Sequence, residues 1–533
     1  MFDLMIRGGK IIDGTGSPAY RAEVYIRGDR IAEIGGRPDE RAAFRQAQGA
    51  ARILDVDGLI VAPGFIDVHS HYDRLLLAQK PDDSKVVQGV TTEIVGNCGF
   101  ALAPVNPDFR ELLVTQTSAI MGEGDLPWLT FGGYLSALEA AAPPVNVGAL
   151  AGHNAVRVAA MGFENRPARP DELARMKGYV AEAMDAGALG LSTGLVYPPG
   201  TFAKTDEVVE LAKVVRPYGG LYASHIRNEA NRLIEAATEA ITVGEEAGVP
   251  VQISHCKASG SSNWGKGAAL MRTIREANGR GLDVTGDQYP YLAGSTLLST
   301  LLPPWAHEGG VPELLTRLRS AEMRGRMKHD MEHGSGDWWN PSKNTSWDGV
   351  LIAASPRMPE IEGKSLERLV REAGRDPYET LFTLLEQTRC QILMIIFLMT
   401  EDDVRTIMRD ANVMIGTDAL ATGSKPHPRS YGTYPRVLGK YVRDERVLDL
   451  PEAIRKMTSL PAQKFKLKDR GIIRRGVHAD LVIFDPQRIQ DTATYDNPVQ
   501  HPRGVPYVLV NGVFGVDDGR VTGARAGKVL RRG

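Results

Sequence analysis

From about residue 63 to residue 466 the sequence alternates short apolar runs with stretches of helical period, and the runs close on polar groups. They end at His69–Ser70–His71, Cys98, His153, Thr193, His225, His255, Asp287 to Tyr289, and Asp418. Amphipathic helices are expected between them, over Asp171 to Ala186 and Asn228 to Ala247 for example. Strands that alternate with helices build a parallel sheet, because a parallel connection needs a crossover. The reading is an α/β fold, a distorted (β/α)8 TIM barrel with insertions. A doubly wound open sheet is the alternative, but no Gly-rich dinucleotide fingerprint follows the first strand.

Both ends of the chain read differently. Leu4 to Gly8, Lys10 to Asp13, Glu23 to Arg27 and Arg30 to Ile34 are short β-type runs between Gly and Asp turns. Asp480 to Phe484, Pro506 to Val510 and Phe514 to Asp517 repeat that pattern. Residues 1–62 and 467–533 are therefore expected to form one small β-sandwich from both termini, around a barrel over 63–466. Two separate β appendages are the alternative. One stretch, about 298–365, breaks the barrel rhythm with Trp305, Trp338, Trp339 and Trp347, and is expected to be an insertion of lid or binding-loop type.

Composition excludes several classes of function. A formal net charge of −2 with no basic block offers no one-sided field for nucleic acid or an anionic membrane surface. The run Ile392 to Met399 is far shorter than the roughly 20 residues a bilayer requires. The opening MFDLMIRGGKIIDG lacks the charged and apolar regions of a signal peptide. Three scattered cysteines, Cys98, Cys256 and Cys390, make no disulfide framework and point to a reducing cytoplasm.

The chemistry concentrates at the strand ends. In GFIDVHSH the side chains of His69 and His71 are two residues apart, so they project from the same face of a strand. Cys98 closes TTEIVGNCG, His225 closes LYASHIRNE, His255 closes VQISHCK and Asp418 closes VMIGTDA. The carboxyl ends of barrel strands carry the active site, so these groups are candidates for one centre. Thiolate and imidazole suit Zn²⁺ rather than Mg²⁺ or Ca²⁺. A zinc ion can acidify water toward a pKa of about 7 and polarise a carbonyl. An amide's leaving nitrogen also needs a proton, and Asp418 is the candidate carboxylate to shuttle it.

These motifs resemble the amidohydrolase superfamily, and GNCGF, SHIRNE, SHCK, DQYPY and YGTYPRVLG resemble its D-aminoacylase (N-acyl-D-amino-acid deacylase) group over nearly the whole chain. The resemblance implies a tightly held zinc on Cys98, His225 and His255. It implies a second, weaker metal position near His69 and His71 that shares Cys98, with Asp418 as general acid/base. The fourth-strand segment GALGLSTGLVYPPG has no Lys or Glu to bridge two metals, as many binuclear amidohydrolases do, and Cys98 takes that place in the D-aminoacylase pattern. Two departures stand out. Tyr72 replaces the acidic residue common after HxH, and Cys256 replaces a second His, which would alter the redox sensitivity of the site.

The implied substrate, a small N-acyl amino acid, carries a carboxylate and needs cations and hydroxyls around it. Lys257 and Arg436 are the expected cations, with Tyr197, Tyr289 and Ser295 as supporting donors. Leu297, Leu298, Leu301 and Leu302 offer only apolar surface where a basic residue would serve D-glutamate. A preference for hydrophobic D-residues is therefore expected. A cyclic-amide hydrolase of hydantoinase or dihydroorotase type, and a non-catalytic barrel scaffold, are the competing readings.

Overall fold

The apolar runs of the middle segment form parallel strands because both of their faces are covered, so nearly every residue in them can be hydrophobic or small. The computed structural model describes residues 2–35, 52–79, 82–335, 338–420 and 423–532. Residues 36–51, which the expected amino-terminal β part includes, lie outside the described residues.

Among the described residues, a three-stranded and a six-stranded parallel sheet follow one another. The strands are β1 (Phe65–Asp67), β2 (Val90–Val95), β3 (Asn146–Ala149, resuming at Ala151–Gly152 beyond Leu150), β4 (Gly190–Gly194), β5 (Leu221–His225), β6 (Val251–Ile253), β7 (Val284–Gln288) and β8 (Val413–Ile415). Each pairs in parallel with the next, from Ile66↔Thr92 to Gly286↔Val413. The order does not stop at β8. Asp418 N donates to His69 O at 2.7 Å and His71 N to Ala419 O at 3.0 Å, which ties the residues after β8 to those after β1.

Helices Pro170–Asp185, Thr205–Val215, Leu233–Ala247 and Gly267–Gly279 connect successive strands from β3 to β7. The helix expected from Asn228 starts at Leu233 instead. The Asn228 side chain accepts from Ala230 N and Arg232 N, so residues 228–232 form a turn, as Asn does when it competes with helix. Gly248, at φ 69°, closes that helix in the left-handed conformation glycine adopts without cost. His153 opens the helix His153–Met161, and its Nε2 pairs with Glu207 Oε1 at 2.9 Å.

The two ends of the chain meet. A seven-stranded sheet joins Val513–Asp517, Tyr507–Val510 and Leu481–Phe484 to Ile60–Pro63 and Lys10–Ile11, with Leu481 opposite Pro63. A four-stranded sheet contains Leu4–Arg7, Val24–Arg27, Arg30–Ile34 and Arg52–Asp55. Ile6, Ile26 and Leu54 of the smaller sheet share a buried core with Val61, Ile483 and Leu509 of the larger one.

The stretch expected as an insertion over about 298–365 is the middle of a longer folded segment. Ala293–Leu297 and Val350–Ala354 both pair antiparallel with Leu393–Phe397. Helices Gly310–Arg319, Ala321–His333, Leu366–Ala373 and Pro377–Gln387 pack around a core of their own that includes Leu298, Leu301, Ile352 and Phe382. The long apolar run at 392–399 is thus the central strand of this segment.

Candidate functional site

Six side chains that the sequence places at five strand ends come together. The ligand atoms of Cys98, His225 and His255 lie within 4.8 Å of one another, and so do those of His69, His71 and Cys98, and of His69, His255 and Asp418. All six residues are buried. His69 Nε2 sits 3.2 Å from Cys98 Sγ, and Cys98 Sγ 3.4 Å from His255 Nε2. Asp418 Oδ1 is 3.3 Å from His71 Nε2 and 3.5 Å from His69 Nε2.

This convergence needs strained backbone. Cys98, His255 and Asp418 take φ values of 53°, 34° and 49°, the left-handed region that side-chain-bearing residues seldom occupy. Such strain collects at functional sites, where packing enforces it. The strand beside Cys98 leaves no room either: a Cβ on Gly194 would stand 2.1 Å from the Cys98 carbonyl oxygen. At the end of β4, Thr193 is engaged with Tyr222 and Ser224 hydroxyls at 2.8 and 3.0 Å.

Carboxylates behind the imidazoles orient them. Asp287 Oδ1 lies 3.3 Å from His69 Nδ1 and accepts His255 N at 2.9 Å, while Oδ2 accepts Gln252 Nε2 at 2.6 Å. That arrangement turns His69 Nε2 toward Cys98 and Asp418, as carboxylates behind metal-binding histidines do. Glu229, four residues after His225, lies 2.9 Å from His255 Nδ1 and 2.6 Å from Lys257 Nζ.

The electrostatics separate the imidazoles. Burial holds His225 and His255 well below the ordinary imidazole range, with Lys257 adding to the effect at His255, so both stay neutral. At His69 burial is outweighed by Cys98, Asp287 and Asp418, which raise it well above that range. Burial works against ionisation of Asp418, yet Arg429, His69, His71 and His255 hold its carboxyl well below the usual range. Burial raises the Cys98 thiol, although His69 opposes this.

All of the cluster but His69 lines one wall of a cavity whose other wall is the folded segment after β7, through Thr300, Leu302, His307 and the two indoles Trp338 and Trp339. Tyr197, Lys257, Tyr289 and Ser295 all line it. Tyr197 Oη meets Thr296 Oγ1 at 2.9 Å, and Ser295 Oγ donates to Met394 O at 2.8 Å. Arg436 does not line the cavity. It pairs with Asp491 at 2.9 Å, donates to Pro290 O and lies over the Tyr291 ring. Two cations reach the centre: Lys257, with Nζ 2.7 Å from His255 Nδ1, and Arg429, fully buried behind the cavity wall, with Nη1 2.8 Å from Asp418 Oδ2 and its guanidinium over the Tyr289 ring. Spacing could not have found Arg429; Glu229, at i+4 from His225 in SHIRNE, was within reach of a pattern argument.

Two further expectations need correction. Leu298 and Leu301 face the core of the segment after β7, so of the leucines at 297–302 only Leu302 lines the cavity. The apolar lining comes instead from residues such as Val196, Met394, Ile396 and Leu420. Cys256 points away from the centre, its Sγ 3.5 Å from Ile253 O, and burial pushes its thiol far up, so it is an inert core residue.

The sequence matches the amidohydrolase family profile over residues 52–254 and 357–515. The chain belongs to the amidohydrolase family. This amidohydrolase is 37% identical to the D-aminoacylase of Alcaligenes xylosoxydans xylosoxydans, over 100% of its own length and 98% of the relative's. It is 38% identical to the N-acyl-D-glutamate deacylase of the same organism, over 99% and 96%. The crystal structure of N-acyl-D-glutamate deacylase from Bordetella bronchiseptica, complexed with zinc and a phosphonate mimic of the tetrahedral intermediate, matches with a TM-score of 0.83 at 35% identity, covering 99% of each chain. Within the family, the chain is a member of the D-aminoacylase group.

Proposed function

We propose that this amidohydrolase uses zinc to cleave the amide bond of N-acyl-D-amino acids, releasing a D-amino acid and a carboxylate. The observation that carries the reading is the meeting of Cys98, His225 and His255 within 4.8 Å, beside an Asp418 held ionised. The donor set fits zinc: one thiol and neutral imidazoles, with His71 Nδ1 and His225 Nδ1 buried and without a hydrogen-bond partner. Cys98, His225 and His255 would hold a tight ion, and His69 and His71, with Cys98 shared, a weaker one. Bound zinc would supply Lewis acidity toward the scissile carbonyl and toward water.

The rest of the chemistry falls to the chain. Asp418, with Oδ2 anchored by Arg429, is poised to take a proton on Oδ1 and return it to the leaving nitrogen. Lys257, which lines the cavity 5.7 Å from the centre of the Tyr289 ring, is the cation for the substrate carboxylate, while Arg429 stays behind Asp418. Tyr197 and Ser295 would support it as hydroxyl groups at the cavity wall, and Arg436 acts at a distance by packing Tyr291. The apolar lining, and a His307 that burial holds near 4 and therefore neutral, favour hydrophobic D-residues over acidic ones.

The same reading extends to architecture. Pairing from β1 to β8, with hydrogen bonds back to the first strand, supports a closed, distorted (β/α)8 barrel over residues 63–466. The seven-stranded sheet shared by both termini, and the core it forms with the four-stranded one, support a β-sandwich from 1–62 and 467–533. Three buried, unpaired cysteines suit a cytoplasmic protein, and a formal net charge of −2 suits a small-molecule substrate rather than a nucleic-acid or membrane partner.

Purified protein assayed with N-acetyl amino acids of both hands, with zinc quantified in parallel, tests the proposal. Stoichiometric zinc and turnover confined to the D series are expected, with kcat/KM for N-acetyl-D-leucine above that for N-acetyl-D-glutamate. Zinc-loaded protein that opens hydantoins and spares every linear amide would defeat it.

A further inference from the structure

Beneath the centre lies a charged cluster that the chemistry above does not use. Lys85, on the loop after β1, is 2% exposed in its side chain and stands between Asp67 and Glu93, whose side chains are 0% and 1% exposed. Its Nζ donates to Asp67 Oδ2 at 2.5 Å and to Thr417 Oγ1 at 2.7 Å. Asp67 is fully used: Oδ1 accepts Thr417 N at 2.9 Å and His69 N at 3.2 Å, and Oδ2 also accepts the Thr417 hydroxyl at 2.6 Å. The cluster thus grips the backbone two residues before His71 and one before Asp418, at the seam between β1 and β8.

We propose that Lys85 is a positioning residue, which sets the distance from Asp418 to His69 and His71 through Asp67 and Thr417. Buried charges are costly unless paired, and removing one partner leaves the other uncompensated. Without Lys85 the Asp67 carboxylate is left with neutral donors, and the Thr417 hydroxyl, which otherwise meets Asp67 Oδ2, His69 O and Ala419 N, loses its one charged partner. Asp418 follows directly, in a left-handed backbone conformation that only its surroundings maintain. A shift of about 1 Å in a reacting group costs roughly 100-fold in rate, so a lysine that never touches substrate acquires control over turnover.

The inference rests on Asp418 as the proton carrier, and the test separates the two claims. Lys85→Met is expected to retain zinc on Cys98, His225 and His255, to lower kcat by about 30- to 100-fold and to leave KM within about threefold. Its crystal structure should place the Asp418 carboxylate about 1 Å or more from its wild-type position relative to His71. Thr417→Val, which removes one hydroxyl, should lower kcat by about 5- to 10-fold in the same pattern and serves if Lys85→Met does not fold. In Asp67→Asn/Lys85→Met the losses should be less than multiplicative, since both residues act through one link. An unmoved Asp418, or kcat within about twofold of wild type in a variant that only melts earlier, overturns the positioning role. A wild-type protein inactive on every N-acyl amino acid overturns the functional reading instead, and the Asp418 displacement still decides the role of Lys85.

Discussion

The two ends of the parallel strands obey opposite rules. At the carboxyl ends, Cys98, His255 and Asp418 sit in left-handed backbone, and His71 and His225 each bury a ring nitrogen without a partner. At the opposite end, where β3 begins, the buried side chains of Asn146, Arg470, Asp480 and Asn511 are mutually satisfied. Asn146 Nδ2 donates to Thr91 O at 2.9 Å and to Asp480 Oδ2 at 3.2 Å, and its Oδ1 accepts from Asn511 Nδ2 at 2.8 Å and Lys528 N at 3.1 Å. Arg470 pairs with Asp480 and donates to Asn511 Oδ1 at 2.9 Å. The reactive groups are left partly unsatisfied, whereas Asn146, Arg470, Asp480 and Asn511 satisfy one another, even with Asn511 at φ 48°. Local conflict concentrated at the reactive groups is how a stable scaffold carries a reactive site.

Substitutions at the two ends should therefore fail in different ways. The largest effect is expected for Cys98→Ala, which should lose bound zinc and activity together, to background in both metal analysis and assay, while unfolding cooperatively. Tight zinc retained in that variant would remove Cys98 from the ligand set. Asp418→Asn should keep its zinc and lose about 10²- to 10⁴-fold in kcat, because the proton carrier goes and the ligands stay. Near-wild-type turnover would move the acid/base role elsewhere.

At the satisfied end the currency changes from rate to stability. Asp480→Ala strands a buried Arg470 and should lower unfolding free energy by about 3–5 kcal/mol, with kcat of the folded fraction unchanged. Denaturant unfolding beside steady-state kinetics checks it; a rate loss without a stability loss would erase the contrast. The smallest effect sharpens the comparison on the outer helices. Burial opposes ionisation of Glu207, yet His153 and Arg157 hold it down to about 2. Its pairing therefore stabilises the fold fully above the ordinary glutamate range near 4.5 and is lost as pH falls toward 2. Glu207→Gln should remove on the order of 2–3 kcal/mol at neutral pH and flatten acid unfolding between those limits. Equal acid sensitivity in both proteins would show that the pair contributes nothing.

How far the sequence could be read depended on whether a signal was local. Strand runs and the terminal β segments were legible because period and turn residues are written within a few positions: the runs at Leu4 and at Asp480 match observed strands to within a residue or two at most boundaries. The His69–Ser70–His71 pair was legible for the same reason. Arg429 was not, since its link to Asp418 depends on how the chain returns after β8. Arg436 does not line the cavity, and no feature of PRSYGTYPRVLG says which of its two arginines turns toward Asp418. The segment from Ala293 to Phe397 was underestimated, because its central strand at Leu393 looks like any buried apolar run until its antiparallel partners are known.

By itself the sequence determined which side chains end each strand, and hence the stock of thiol, imidazole and carboxylate available. Only the tertiary structure decided that β1 and β8 meet, that three of those residues adopt left-handed backbone, and that Lys85 supports the seam. Strand identity follows from short-range periodicity, whereas distances between ligands come from register and closure, which involve residues hundreds of positions apart.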